Sequence, residues 1–510
     1  MRKSSLDISF QAQIFRNIVS GWLSILLVIA TNVVVTPLVL NNVGKELYGV
    51  WFLIFNILAY FYLADFGITS AITRLYAKYK IDQTSDVQKL VSTSYLVVML
   101  VNTISLIGLL SFKTEIYTYL EIEAAFYDIF TILFYVGLIE LTSQFILRVN
   151  IGILKGQHKY DIAYRFEGLA AALRLISVLL LVLLDKFSIV SFAIVYSLCK
   201  IFSDSLSFFF IRDDLKGFKF ALDKSVFRDL LDVGSSSLAT TWANALLNTL
   251  PLMLFGKVFG VDKVFLYAIP FAILIVLSRL INAIYHGVTP KSAELKALNN
   301  EFDLASISSF GVKFAALFSV ILISFFIVFG EGTLRLWLGT TVISGHDFDL
   351  MSNILLGLLV YMFFESLQKV NNFIYKATGL HWLVTCEAIV SGLLLYAFIF
   401  ILLDYANELT FAVAMALVGV FKYGFYKVVG RNNIRTYSLP IYSAALFGMV
   451  LIGIYIGNVN YADTLLIKVF IYIFTMLLTS IFGYFCLFTT LERTKVNYHL
   501  SKMKAKFDSL

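Results

Sequence analysis

Apolar runs of about 20 residues alternate with short polar segments from one end of the chain to the other, and about 20 residues is the length an α-helix needs to cross roughly 30 Å of hydrocarbon. The runs predict helices near residues 17 to 40, 48 to 73, 89 to 112, 126 to 148, 162 to 184 and 188 to 210. A polar connection from Arg212 to Arg228 follows. Eight more helices are then expected, near 230 to 255, 263 to 288, 308 to 330, 350 to 373, 382 to 403, 408 to 428, 440 to 459 and 466 to 490. The polar segments between them are too short to fold as soluble domains.

Composition agrees: 59% of the 510 residues are hydrophobic and 14% charged, with a mean hydropathy of +0.85, too little polar surface for a soluble chain of this length. The formal charge of +7 would suggest a nucleic-acid partner if it were clustered. Instead the basic residues fall in alternate loops, which is an orientation signal. With the N-terminus inside, the cytoplasmic segments hold most of the 40 Lys and Arg, among them Arg74, Lys78, Lys80, Lys155, Lys159, Arg431 and Arg435. The external loops hold few and include the acidic stretch Glu115, Glu121, Glu123 and Asp128. Merging or omitting one helix would destroy this asymmetry, so an even count with both ends cytoplasmic is expected. Asp7, Gln11 and Gln13 precede the first apolar run and no small-residue cleavage site follows, so that helix is expected to be retained. Cys199, Cys386 and Cys486 lie inside apolar runs without paired spacing or a nearby His cluster and read as small core residues.

The connection at 212–229 divides the chain into helices 1–6 (residues 1–211) and helices 7–12 (residues 230–430), with helices 13 and 14 and a basic tail, Arg493 to Lys506, in 431–510. A faint repeat supports this division. Asn32 and Pro37 precede Gly44 and the second span, as Asn248 and Pro251 precede Gly260 and the eighth. Six helices per unit is an even number, so two such units enter the membrane in the same orientation, a parallel repeat of the kind transporters use.

Within Thr36 to Tyr79, Gly44, Tyr48 and Gly49 form a Gly-x-x-x-Tyr-Gly element after the proline, and Asp65 and Gly67 form an Asp-x-Gly element followed by Arg74. With the stretch ILKGQHKYDIAYR at 153–165, the chain length and the basic central loop, this resembles the polysaccharide-biosynthesis branch of the multidrug/oligosaccharidyl-lipid/polysaccharide exporter superfamily, whose best known members are the Wzx-type O-antigen flippases. The resemblance implies an all-α, MATE-like integral membrane fold, two six-helix lobes around a cavity that opens alternately to either side. It also implies a cargo, an undecaprenyl-pyrophosphate-linked oligosaccharide flipped from the cytoplasmic to the outer leaflet of a bacterial inner membrane. No cofactor is implied. Membrane lipids are partners by necessity, and glycosyltransferases and a chain polymerase would act on either side of the step.

Charges far from a helix end cost about 2.5–3.5 kcal/mol on insertion scales and so usually face a cavity or a partner. Arg174 lies nine residues, roughly 13 Å, beyond Arg165; Lys200 before Arg212 and Arg279 before Lys291 reach similar depths. Three cations on separate helices could together receive a pyrophosphate, which Arg engages bidentately. The alternative is local neutralisation: Lys200 and Asp204, like Glu365 and Lys369, are four apart on one helical face. Among the acids, Glu140 lies mid-helix with Gln144 and Arg148 at successive four-residue steps, and Asp65 lies in the inner half of helix 2. Either could bind H+ or Na+, or serve in a structural pair. Aligning Pro37 with Pro251 places Asp65 on Arg279, which suggests a pair that closes the cytoplasmic side. The abundant aromatics are read as packing and lipid-facing residues rather than sugar-stacking sites.

Four functions remain in view: a lipid-linked oligosaccharide flippase, an ion-coupled MATE-like drug or metabolite exporter, a membrane glycosyltransferase or polymerase, and a non-transporting membrane scaffold, which leaves the mid-membrane cations unexplained. The short loops, and the lack of a G-x-x-x-x-G-K-[ST] phosphate loop or an H-E-x-x-H motif, argue against the enzyme. Excess cations would favour an anionic lipid cargo over an organic cation.

Overall fold

The computed structural model describes residues 2–429, apart from 62–66, 82–85, 121, 217, most of 285–299 and 404–406, together with residues 472–473. Among the described residues there is no strand, as expected where hydrocarbon leaves backbone polar groups no partner but their own helix. The helices are α1 (Arg2–Phe61), α2 (Ile68–Ile81), α3 (Val87–Ser111), α4 (Lys113–Tyr119), α5 (Tyr127–Gly156), α6 (Tyr160–Leu183), α7 (Ile189–Ser205) and α8 (Ser207–Ile211). They continue with α9 (Lys224–Asn248), α10 (Leu250–Phe259), α11 (Val264–Ile284), α12 (Glu301–Leu338), α13 (Gly345–Ala377), α14 (His381–Leu403) and α15 (Thr410–Val429). Among the described residues, 10 helical stretches are long and apolar enough to cross a membrane.

Each of the first twelve expected spans coincides with helix, while the last two lie outside the described residues but for Tyr472 and Ile473. Two differ in detail. In the second expected span, 48 to 73, helix is described as far as Phe61, and α2 begins behind Gly67 at φ 67° and runs on to Ile81. The seventh breaks after Asn248, where Pro251 falls in the first turn of α10, a position that needs no proline N–H.

The two halves of the sequence repeat share a backbone device. Gly44, inside α1, has φ 83° and ψ 167°; Gly260, at the end of α10, has φ 95° and ψ 154°. This region of backbone space belongs almost wholly to glycine, so each turn from an outgoing helix to a returning one requires it. The turns also meet: a Cβ on Gly49 would lie 2.3 Å from the Val261 carbonyl oxygen.

The chain forms two compact units, Met1–Ala268 with Trp337–Ser344, and Ile269–Leu336 with Gly345–Leu510. The polar connection after helix six belongs to the first, because its backbone is tied to α3. The amides of Lys219 and Asp223 donate to Ser92 Oγ (3.3 Å) and Thr93 Oγ1 (3.1 Å), and Gln88 Nε2 donates to the Lys216 carbonyl (3.0 Å). Asp223 caps α9; the Ser225 hydroxyl and the Val226 amide hold its carboxyl below the usual carboxylate range. In this unit α5 packs against α2, α3 and α7, while α1 lies along α6, with Thr31 Oγ1 donating to the Ala171 carbonyl (3.0 Å). In the second unit α13 packs along α15 and α15 against α14. Gly419 permits the first contact, since its Cβ would sit 3.0 Å from the Tyr361 Cα, the close approach that small residues give membrane helices.

Gly44→Ala and Gly260→Ala are expected each to cost about 1–3 kcal/mol of stability. The readout is a lowered thermal midpoint of the purified protein in detergent, with a smaller change for Gly108→Ala, whose Cβ would meet open space.

Candidate functional site

Helix α5 is the polar spine of the first unit. Glu140, Gln144, Arg148, Ile151 and Lys155 recur every three or four residues and so share one face. At about 1.5 Å per residue the row covers roughly 22 Å, most of the hydrocarbon thickness. The groups that meet it come from α6 and α7.

At the deep end, Glu140 Oε1 lies 3.6 Å from Arg174 Nη2 on α6, and Ser197 Oγ on α7 donates to Glu140 Oε2 at 2.6 Å. Arg174 Nε donates to the Tyr196 carbonyl (3.0 Å), and its guanidinium carbon stands 3.6 Å from the centre of the Tyr196 ring. Tyr196 meets Trp51 and Phe192 edge-on or tilted. The guanidinium is thus engaged by a carboxylate, a carbonyl and a ring, all within the unit.

One turn closer to the loop end of α5, Lys200 Nζ lies 2.8 Å from Asp204 Oδ2, and Gln144 Nε2 donates to the same oxygen at 2.9 Å. Beside this pair is a cavity of about 410 Å³, within the roughly 300–1,000 Å³ of ordinary ligand sites. Its walls carry Arg148, Lys155 and Lys200 against Glu167 and Asp204, with Tyr164 and Thr69. Among the described residues, three cations stand against two acids, one of them already engaged with Lys200, a positive balance. An anion entering it could accept charge-assisted hydrogen bonds from several directions. Nearer the connecting loop, Asp214 accepts from Gln157 Nε2 (2.7 Å) and from the Tyr76 hydroxyl, and Tyr79 OH donates to Asp229 Oδ2 at 2.7 Å.

The second unit has its own buried charges. Lys369 Nζ lies 2.8 Å from Glu365 Oε1. Lys422 Nζ on α15 lies 3.4 Å from Glu387 Oε1 on α14, 4.0 Å from Glu365 Oε1 and 3.4 Å from Tyr361 OH. Glu387 also accepts from Ser391 Oγ (2.8 Å) and Tyr426 OH (3.3 Å).

The cations singled out in sequence therefore do not share one place. Lys200 lines the cavity. Arg174, without an acid one turn away in its own helix, finds Glu140 on a neighbouring one. Arg279 is exposed on α11 in the second unit. Asp65 lies outside the described residues, and with it the expected pair to Arg279. The local pairs Lys200–Asp204 and Glu365–Lys369 both form. Sequence reasoning had placed Lys155 with the cytoplasmic loops and passed over Glu387 and Lys422. Both of the latter lie inside expected spans but only five or six residues from an end, a weaker signal than that of Arg174.

The family model described as "Polysaccharide biosynthesis protein" matches residues 14–296. Among curated proteins none matches the sequence. Solved structures similar in fold include "Lipid II flippase MurJ, inward closed conformation", at TM-score 0.69 and 15% identity over 94% of this chain and 99% of that one. Another is an inward-facing multidrug resistance MATE family transporter of the MOP superfamily, at TM-score 0.63 and 15% identity over 82% of this chain and 94% of that one. A third, from Pyrococcus furiosus, is a MOP superfamily transporter whose title reports a "reverse polarity of binding pocket", at TM-score 0.59 and 15% identity over 82% and 95%. At these identities the likeness concerns the fold.

Removing one member of a buried ion pair costs about 3–5 kcal/mol, whereas replacing both by apolar groups is often near neutral. Glu140→Gln is accordingly expected to lower the thermal midpoint more than the double variant Glu140→Leu with Arg174→Leu. Equal losses in the two would show that the pair does not hold α5 to α6.

Proposed function

Because this chain belongs to the polysaccharide biosynthesis protein family, we propose that it flips an undecaprenyl-pyrophosphate-linked oligosaccharide, the repeat unit of an O-antigen or other surface polysaccharide, from the cytoplasmic to the outer leaflet by alternating access. The observation that carries this reading is the cavity of the first unit, where, among the described residues, Arg148, Lys155 and Lys200 outnumber the acids. Lys155 is one residue from the end of α5, on the side that the loop charges assign to the cytoplasm. A pyrophosphate entering from that leaflet would meet Lys155 first, then Arg148 and Lys200 about 10 Å deeper along α5 and α7.

In this reading the membrane is the bacterial inner membrane, both termini are cytoplasmic, and helices 1–6 and 7–12 are the lobes that move. The chain is a transporter and not an enzyme; H+ or Na+, or consumption of the flipped product by a polymerase, supplies the energy. A MATE-like exporter of organic cations, the alternative, would be expected to line this cavity with acids.

Reconstituted into vesicles, the protein is expected to transfer a fluorescent undecaprenyl-pyrophosphoryl oligosaccharide between leaflets. Since hydrogen bonds to charged groups contribute about 1.5–3 kcal/mol each, Lys155→Ala or Arg148→Ala should slow transfer by roughly tenfold or more. Transfer unchanged in both variants, or efflux of an organic cation in place of lipid transfer, would overturn the reading.

A further inference from the structure

Counted along the expected spans, Glu140 and Glu365 fall on the fourth and tenth, and Lys200 and Lys422 on the sixth and twelfth, at similar depths. With six spans per repeat these are matching places, and the two units use them differently. In the first unit Lys200 turns to an acid in its own helix and a cavity remains beside it. In the second, Lys422 reaches across to α14 and α13, its side chain only 6% exposed. The crevice beside Glu365 and Lys369 has no room for even a water molecule.

Three oxygens converge on the Lys422 ammonium: Glu387 Oε1 at 3.4 Å, Tyr361 OH at 3.4 Å and Glu365 Oε1 at 4.0 Å. Two carboxylates and a hydroxyl converging on one position are oxygen donors of the kind that hard cations take. Glu365 has Lys369 as a second partner. Glu387, its side chain 2% exposed, otherwise has hydroxyl donors in contact, Ser391 and Tyr426, with Lys376 facing it from farther off, and an ionised carboxylate in hydrocarbon requires a positive charge close by. We propose that Lys422 is a built-in counter-cation: its ammonium fills, between Glu387 and Glu365, a position that a small free cation would occupy in its absence, so the second unit works without an exchangeable cation there.

Methylammonium reproduces the head of the lysine side chain and is the probe. In purified Lys422→Ala, millimolar methylammonium is expected to raise the thermal midpoint by several degrees, and tetraethylammonium, too large for the vacancy, to leave it unchanged. The wild type should respond to neither. No response of Lys422→Ala to methylammonium or to an alkali cation overturns the proposal. Should Lys422→Ala not fold, Lys422→Met combined with Glu387→Gln, which removes both charges, is expected to fold and to melt near the wild-type temperature; failure of that variant as well would mean that Lys422 does more than balance charge. Melting involves no cargo, so these outcomes stand apart from any result on lipid transfer.

Discussion

Lipid tails are as apolar as leucine, so burying leucines against one another gives membrane helices little reason to prefer one arrangement over another. A charge in the same place is different, because it is stable only with its opposite a few ångströms away. Much of what holds this chain in register follows. Glu140 and Arg174 join α5 to α6, Gln144 and Asp204 join α5 to α7, and Lys422 joins α15 to α14 and α13. Close packing at glycines, as between α13 and α15, brings these groups within reach; the charges then select one sliding position out of several.

The same constraint explains what was legible in the sequence. An apolar run of spanning length has few fates, so the helices fall where the runs predict, and the breaks missed, at Gly67 and after Asn248, are those where a polar or glycine-bearing stretch interrupts a span without ending it. The depth of an ionisable residue is legible too, being a count from the helix end. Its partner is legible only when it lies one turn away, as Asp204 does from Lys200. The pairing of Arg174 with Glu140 depends on how three helices pack, which hydrophobicity does not encode. Lys155 went unrecognised for a related reason: a lysine near a helix end looks like a loop residue until a neighbouring helix turns the end into a wall.

The two units hold similar ingredients, acids and lysines within the expected spans, and reach different results. The first leaves space beside its charges, which is what a site for an anionic head group needs. The second closes its charges on one another, which suits a body that moves as a piece.

The order of these charges along the chain bears on how the protein is made. Helices enter the bilayer roughly as they are synthesised, and Glu140 precedes Arg174 just as Glu365 and Glu387 precede Lys422. A carboxylic acid waiting in hydrocarbon can take up a proton and sit there neutral, whereas a guanidinium keeps its charge. Asp204 follows Lys200 by a single turn, so α7 brings its own neutralisation with it. Across helices, the group that can wait uncharged enters first, and each later cation arrives where its partner is already in place.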